Sequence, residues 1–169
     1  MNRVTLRILD ILIIIAFLGL LYILIEPQYQ NAKKVAKERH LQSNMYTVKA
    51  AIERYRAFNM GTIPFSLDTI YSQIEALEVP VNPYTDNKMG LSDLNKFLYD
   101  VPSQIESTDT VGYHADLRGN PGEIMIGFLV AVSEKDTITR NYSIVAFNGE
   151  GKPLTIKEGE KVRIVVLEE

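Results

Sequence analysis

The fold of this chain follows from the stretch Ile11–Ile25, ILIIIAFLGLLYILI, in which every residue is apolar or glycine. With Ile8 and Leu9 before Asp10, the apolar segment covers residues 8–25 and would form a helix about 27 Å long, at about 1.5 Å per residue. The hydrocarbon core of a bilayer is about 30 Å thick. The segment therefore predicts a single membrane-spanning helix near the N-terminus.

Two other interpretations of the segment fit the sequence less well. A secretory signal peptide would end in a small-residue cleavage site, whereas this run ends in Leu24-Ile25-Glu26-Pro27. A core helix of a soluble protein is rarely apolar on every face over such a length. The membrane span remains the prediction.

The charges that flank the segment bear on its orientation, and more basic residues follow it than precede it. Those before it are Arg3 and Arg7, and those after it are Lys33, Lys34, Lys37 and Arg39. Taken alone, the positive-inside rule would favour a cytoplasmic location for the C-terminal side.

Composition limits the remaining possibilities. The 169 residues carry a formal net charge of −3, which argues against a nucleic-acid-binding protein. The chain has no cysteine, which excludes disulfides and thiolate metal sites. We divide the chain into a membrane segment, residues 1–26, and a head, residues 27–169.

Helical periodicity continues beyond Pro27 and predicts one helix from about residue 6 to residue 60, amphipathic over 28–60. Its apolar stripe has spacings of four and three residues and consists of Leu41, Met45, Val48, Ile52 and Tyr55. Gly61 is expected to stop the helix.

The middle of the chain alternates between short helical patterns and turn formers. Ser66 is expected to cap a helix that continues to Leu77. Residues 79–87 contain turn formers and predict an ordered loop, and residues 92–99 are expected to add a helical turn or two.

The C-terminal part is rich in β-branched and aromatic residues, separated by turn sequences. The expected strands are Val111–Leu117, Ile124–Val132, Thr139–Phe147 and Val162–Leu167, with a small one at Leu154–Ile156. Short turns between consecutive strands indicate an antiparallel meander. The predicted class is therefore α+β, with the stripe of the long helix packed on an antiparallel sheet.

Four stretches share their order and spacing with one known family. The first is the apolar segment with Ala16 and Gly19, which ends in Glu26-Pro27-Gln28-Tyr29, and the second is Asp10 within it. The third is Met45–Tyr55, followed by Gly61-Thr62-Ile63-Pro64. The fourth is Asn82-Pro83-Tyr84-Thr85, followed by Val111-Gly112-Tyr113, Tyr142-Ser143-Ile144 and Gly149-Glu150-Gly151-Lys152. In these stretches, which span most of the chain, the protein resembles type IV pilin-like proteins, a group that includes the pseudopilins of type II secretion.

The resemblance implies a structural subunit that polymerises through its N-terminal helix. Its partners would be further copies, other pilin-like subunits, an inner-membrane assembly platform and membrane lipid, with no nucleic acid. It would be a single-pass protein of the cytoplasmic membrane with a periplasmic or extracellular head.

The resemblance also implies roles for five residues. A prepilin peptidase would cut between Thr5 and Leu6, although Thr5 stands where the family has glycine. Asp10 stands where the family has a glutamate that meets the N-terminal amine of a neighbouring subunit. Arg7 could neutralise Asp10 within one helix, and Pro27 lies at the end of the assembly segment, in Glu26-Pro27-Gln28-Tyr29. From physical reasoning alone, Asp10 either pairs with Arg7 at headgroup level or recognises a neighbouring helix.

No residue pattern indicates catalysis, so we expect no enzyme and no cofactor. His40 and His114 lack the neighbours of a metal or catalytic motif. The carboxylates Glu53, Asp86 and Asp116 have no spacing that would bring two of them together.

A calcium site is a minor possibility. Asp86, Asn87 and Asp93 offer oxygen ligands in a loop, but their spacing matches no EF-hand and fits ordinary turn residues.

One alternative function is kept. The chain could be a membrane-anchored binding domain that never polymerises, with Arg7 and Asp10 paired internally. The sheet or the loop Asn82–Asn87 would then meet a ligand.

Overall fold

The structure, a computed structural model, describes residues 3–100, 117–132, 137–158, 161–164 and 167–168. The chain forms two compact units, Met1–Lys37 and Glu38–Glu169. The first consists of the first part of a long helix, and the second contains the rest of that helix and all strands described below.

The elements follow one another in a mixed α+β order, as the sequence predicted. The helices are α1 (Arg3–Phe58), α2 (Leu67–Glu75) and a short 3-10 helix (Leu91–Asp93). The strands are β1 (Leu94–Asp100), β2 (Ile124–Val132), β3 (Thr137–Ala146), β4 (Thr155–Glu158), β5 (Lys161–Ile164) and β6 (Leu167–Glu168).

The predicted long helix is confirmed, and its end has a defined geometry. Met60 and Gly61 both adopt positive φ angles, 53° and 84°. The backbone N–H of Gly61 donates to the carbonyl of Arg56 at 2.9 Å, the six-residue bond of a Schellman ending. Gly61 therefore stops the helix, as predicted, although Met60 also adopts the left-handed conformation.

The apolar stripe on α1 forms one side of the core. Leu41, Met45, Val48 and Ile52 have no exposed surface, while Tyr55, the last member, is half-buried. The stripe belongs to one buried cluster together with side chains of α2, β2 and β3, which include Ile70, Ile74, Ile126, Phe128 and Ile144. Helix α1 is thus packed on the sheet through the predicted face.

Helix α2 is confirmed, but it is shorter than predicted and its cap differs. It ends at Glu75 instead of Leu77. Ser66 occupies the N-cap position without a side-chain capping bond, because its hydroxyl donates to the carboxylate of Asp68 at 3.3 Å.

The main sheet is mixed, so the prediction of an antiparallel meander is wrong. Its strand order is β1-β2-β3-β6, and β1 pairs with β2 in parallel. Strands β2, β3 and β6 pair antiparallel, while β4 and β5 form a separate two-stranded antiparallel sheet. A parallel pair requires a connection of a dozen or more residues, and β1 and β2 are separated in the sequence by residues 101–123.

The prediction of helical turns over residues 92–99 is also wrong beyond Asp93. Leu94–Asp100 is a strand, and it extends the sheet beyond the four predicted segments. Phe97 and Tyr99 are residue types that strands favour, and pairing with β2 gives the backbone of this segment its hydrogen bonds.

The other strand predictions have different outcomes. Ile124–Val132 is a strand with the predicted bounds, Thr139–Phe147 is displaced to Thr137–Ala146, and Leu154–Ile156 is displaced to Thr155–Glu158. The predicted Val162–Leu167 contributes to both β5 and β6, which lie in different sheets. All but the last residue of Val111–Leu117 lies outside the described residues.

Candidate functional site

The apolar part of α1 is exposed on every side. Apart from half-buried Leu21, each residue of Ile11–Ile25 is exposed, and the large apolar side chains reach 72% exposure at Ile23. Monomeric soluble proteins rarely present a continuous apolar surface of this size. This surface, Ile11–Ile25, is the candidate functional site and is called the apolar rod below.

The apolar rod has the properties that a bilayer requires. Within the described part of the chain, one helix is long and apolar enough to cross a membrane, and the span in question lies near the N-terminus. A helix satisfies its backbone hydrogen bonds internally, which a lipid environment demands. The rod is therefore compatible with a single-pass membrane anchor.

Two small residues interrupt the bulky side chains of the apolar rod. Ala16 and Gly19 lie one helical turn apart, and a Cβ added to Gly19 would meet nothing within 4 Å. Small residues allow the backbones of neighbouring membrane helices to approach closely. This part of the rod could therefore accept another helix.

The processing and assembly residues lie at known positions of α1. Thr5, Leu6, Arg7 and Asp10 are all helical, and Arg7 and Asp10 lie three residues apart, close to one turn. Pro27 lies inside the same helix. It supplies no N–H to the carbonyl of Ile23, so one helical bond is absent there.

Of the three suggested calcium ligands, Asp93 is engaged in hydrogen bonds within the protein. Both carboxylate oxygens of Asp93 accept hydrogen bonds, from Asn82 Nδ2 at 3.2 Å and from the backbone N–H of Gly90 at 2.8 Å. Asp86 and Asn87 are exposed, and Asp86 has a positive φ of 58°, as a turn residue. Across the described residues, no group of three His, Cys, Asp or Glu side chains could hold a metal ion.

A buried polar cluster that the sequence analysis missed holds this loop. The side chain of Asn82 is 1% exposed, and its amide donates to Asp93 and to the carbonyl of Pro121 at 3.2 Å. Its Oδ1 accepts the backbone N–H of Tyr84 at 2.9 Å. Asn44 on α1 donates to the carbonyl of Val81 at 2.8 Å. The pair Asn82-Pro83 indicates a turn in the sequence, but it does not reveal that the Asn82 side chain bonds to residues far along the chain.

Tyr84 lies in the same loop and has a shifted acidity. Burial disfavours its charged form and raises the pKa of its hydroxyl above the ordinary value, and the negative charge of Glu38 adds to the rise. A hydrogen bond with the backbone of Gly149 opposes it. The hydroxyl therefore ionises only at a higher pH than that of an ordinary tyrosine.

Of the carboxylates considered for catalysis, the structure describes Glu53 and Asp86, which lie on α1 and in the loop after α2. Glu53 accepts a hydrogen bond from the buried hydroxyl of Tyr142, and its other oxygen lies 3.7 Å from Arg56. His40 is exposed. His114 and Asp116 lie outside the described residues.

Comparison of the chain with protein-family models, curated proteins and solved structures finds no significant match. Functional assignment therefore depends on the residues and geometry above.

Proposed function

We propose that this protein is a structural subunit of a type IV pilus-like or type II secretion pseudopilus assembly. It would reside in the cytoplasmic membrane as a single-pass protein, with its head on the periplasmic or extracellular side, and would polymerise through the apolar rod. The observation that carries the proposal is the contrast along α1. Residues 11–25 are exposed almost throughout, whereas the stripe from Leu41 to Ile52 is fully buried in the head.

The energetics favour a partner for the apolar rod. Removing one Leu or Ile side chain from water contributes about 1.5–3 kcal/mol, so a rod left in water would be strongly unfavourable. Lipid satisfies this requirement for a monomer. Within a bundle of such helices, close packing at Ala16 and Gly19 would add van der Waals contact.

Asp10 would give the assembly its register. A carboxylate within apolar surroundings is stable only when a positive group compensates it. In the proposed assembly that group is the N-terminal amine of a neighbouring subunit, exposed by cleavage before Leu6. Asp10→Ala would remove the charge, and Asp10→Glu would retain it.

Cross-linking in the membranes of the native host tests the proposal. We expect a ladder of homo-oligomers for the unchanged protein and for Asp10→Glu, and predominantly monomer for Asp10→Ala. An unchanged ladder in Asp10→Ala would remove Asp10 from the assembly, and monomer in all three would refute polymerisation.

A permanently anchored binding domain is the second proposal, favoured by Thr5 at the position where the family has glycine. The intact mass of the native protein separates the two. Loss of Met1–Thr5 supports assembly after processing. A full-length mass supports the anchored domain, in which Arg7 would neutralise Asp10 within one helix.

A further inference from the structure

We propose that Lys33, Lys34 and Lys37 bind the headgroups of anionic phospholipids in the leaflet at the C-terminal end of the apolar rod. We call these residues the lysine triad. The inference rests on the membrane anchorage in the proposed function and does not require polymerisation.

The helix places Lys33 and Lys34 at the depth of the headgroups and Lys37 one turn further from the bilayer. At about 1.5 Å per residue, Lys33 lies about 12 Å beyond Ile25 and about 6 Å beyond Tyr29. Tyr29 is 61% exposed, and aromatic side chains of this kind mark the membrane interface. A headgroup layer about 5–8 Å thick next to Tyr29 therefore reaches the level of Lys33 and Lys34. Lys37 lies about 12 Å beyond Tyr29, and because helical side chains tilt toward the N-terminus, its long side chain would extend back towards that layer.

The triad also shares one side of the helix. At about 100° per residue, Lys34 and Lys37 lie about 100° and 40° from Lys33 around the axis. Lys33 and Lys34 are exposed and Lys37 is half-buried. A lysine stem lies along apolar surface while its ammonium group extends towards charge, so all three can serve one patch of lipid.

The local charge complements an anionic surface. Residues 26–37 contain three lysines and one glutamate, which gives 3 − 1 = +2. The glutamate, Glu26, accepts a hydrogen bond from Gln30 Nε2 at 2.7 Å. Lys34 and Lys37 also interact with groups of the protein, and an ammonium group, which has three donors, can contact a lipid in addition.

Spin-labelled lipids test this inference on the full-length protein. The protein is incorporated into phosphatidylcholine vesicles, and electron spin resonance then compares how strongly labelled phosphatidylglycerol and labelled phosphatidylcholine associate with it. We expect phosphatidylglycerol to be preferred about threefold or more, because each lysine near the surface adds attraction. The preference should weaken in 0.5 M NaCl, where the Debye length shortens.

Three variants assign the preference to the triad. Lys33→Gln, Lys34→Gln and Lys37→Gln together should abolish it, whereas the three corresponding Lys→Arg changes should preserve it. A charge-matched control, with Gln at the exposed lysines Lys88, Lys96 and Lys152, should leave it unchanged.

Several results would overturn the inference. These are equal association of both lipids with the unchanged protein, a preference that survives the triple Gln change, or loss of homo-oligomer cross-links in that variant with lipid association unaltered. The last would make an acidic surface of a second copy the occupant. Extraction of the protein from vesicles by carbonate would refute the anchorage itself.

Discussion

At the scale of single residues, the contact between Tyr142 and Glu53 joins β3 to α1. The hydroxyl of Tyr142, a residue 2% exposed, donates to Glu53 Oε1. Tyr142→Phe would remove the donor and should lower the free energy of unfolding by about 1–2 kcal/mol. Urea unfolding of the full chain in detergent measures it.

Tyr46→Phe is the matched control, because Tyr46 lies on the same helix as Glu53 and is 54% exposed. Its effect should stay within about 0.5 kcal/mol. Equal losses in both variants would show that the Tyr142 bond contributes nothing of its own.

Tyr84 predicts a dependence of stability on alkaline pH. Its pKa is raised in the folded state, first by burial and then by Glu38. The resulting stability is fully present below the unfolded pKa, about 10, and is lost as pH rises through the folded value. Urea unfolding at pH 8 to 11 should therefore show the wild type losing stability relative to Tyr84→Phe above pH 10. A constant difference would contradict the shift.

At the scale of elements, the turn at Gly122 before β2 packs closely against the loop that carries Asn82. Gly122 has a φ of 82°, and a Cβ there would lie 2.1 Å from Asn82 Oδ1. Gly122→Ala should cost at least about 2 kcal/mol in urea unfolding, because strain and steric overlap add.

Gly61→Ala is the control for that substitution. Gly61 has a similar φ of 84°, but open space surrounds the added methyl group. Strain alone should cost about 1 kcal/mol. If Gly122→Ala costs no more than Gly61→Ala, the close approach to Asn82 is unimportant.

The stability of the head should depend on one part of α1 and not on the other. Ile52→Ala, in the buried stripe, should lower the unfolding free energy of the head by about 2–5 kcal/mol. Ile23→Ala, at 72% exposure, should leave head unfolding in detergent unchanged. Equal effects would mean that the apolar rod takes part in the core of the head.

At the scale of the whole molecule, anchorage and folding should be separable. A chain that lacks Met1–Lys37 loses the apolar rod but keeps the core cluster, which begins at Leu41. We expect it in the supernatant after ultracentrifugation, with a cooperative urea transition followed by circular dichroism. Membrane retention would show that residues outside Met1–Lys37 also anchor the protein. A non-cooperative transition would show that the head needs Met1–Lys37 in order to fold.

Local pattern was sufficient wherever the signal lies in neighbouring residues. The sequence by itself determined the apolar rod, the stripe from Leu41 to Ile52, the stop at Gly61 and the strand Ile124–Val132, because an apolar run, a helical spacing, a capping glycine and a strand-forming composition are all properties of neighbouring residues. It also supplied Asp10 and Thr5 as assembly and processing residues, roles that stay predictions.

Only the tertiary structure decided what depends on distant partners. The strand at Leu94–Asp100 and its parallel register exist because β2 offers a sheet edge, which no local spacing reveals. Asn82 and Tyr142 form hydrogen bonds with residues far along the chain. The bond from Asn82 also makes Asp93 a hydrogen-bond acceptor in the loop. A hydrogen bond between remote residues leaves no period in the sequence, and so folding alone assigns these side chains their roles.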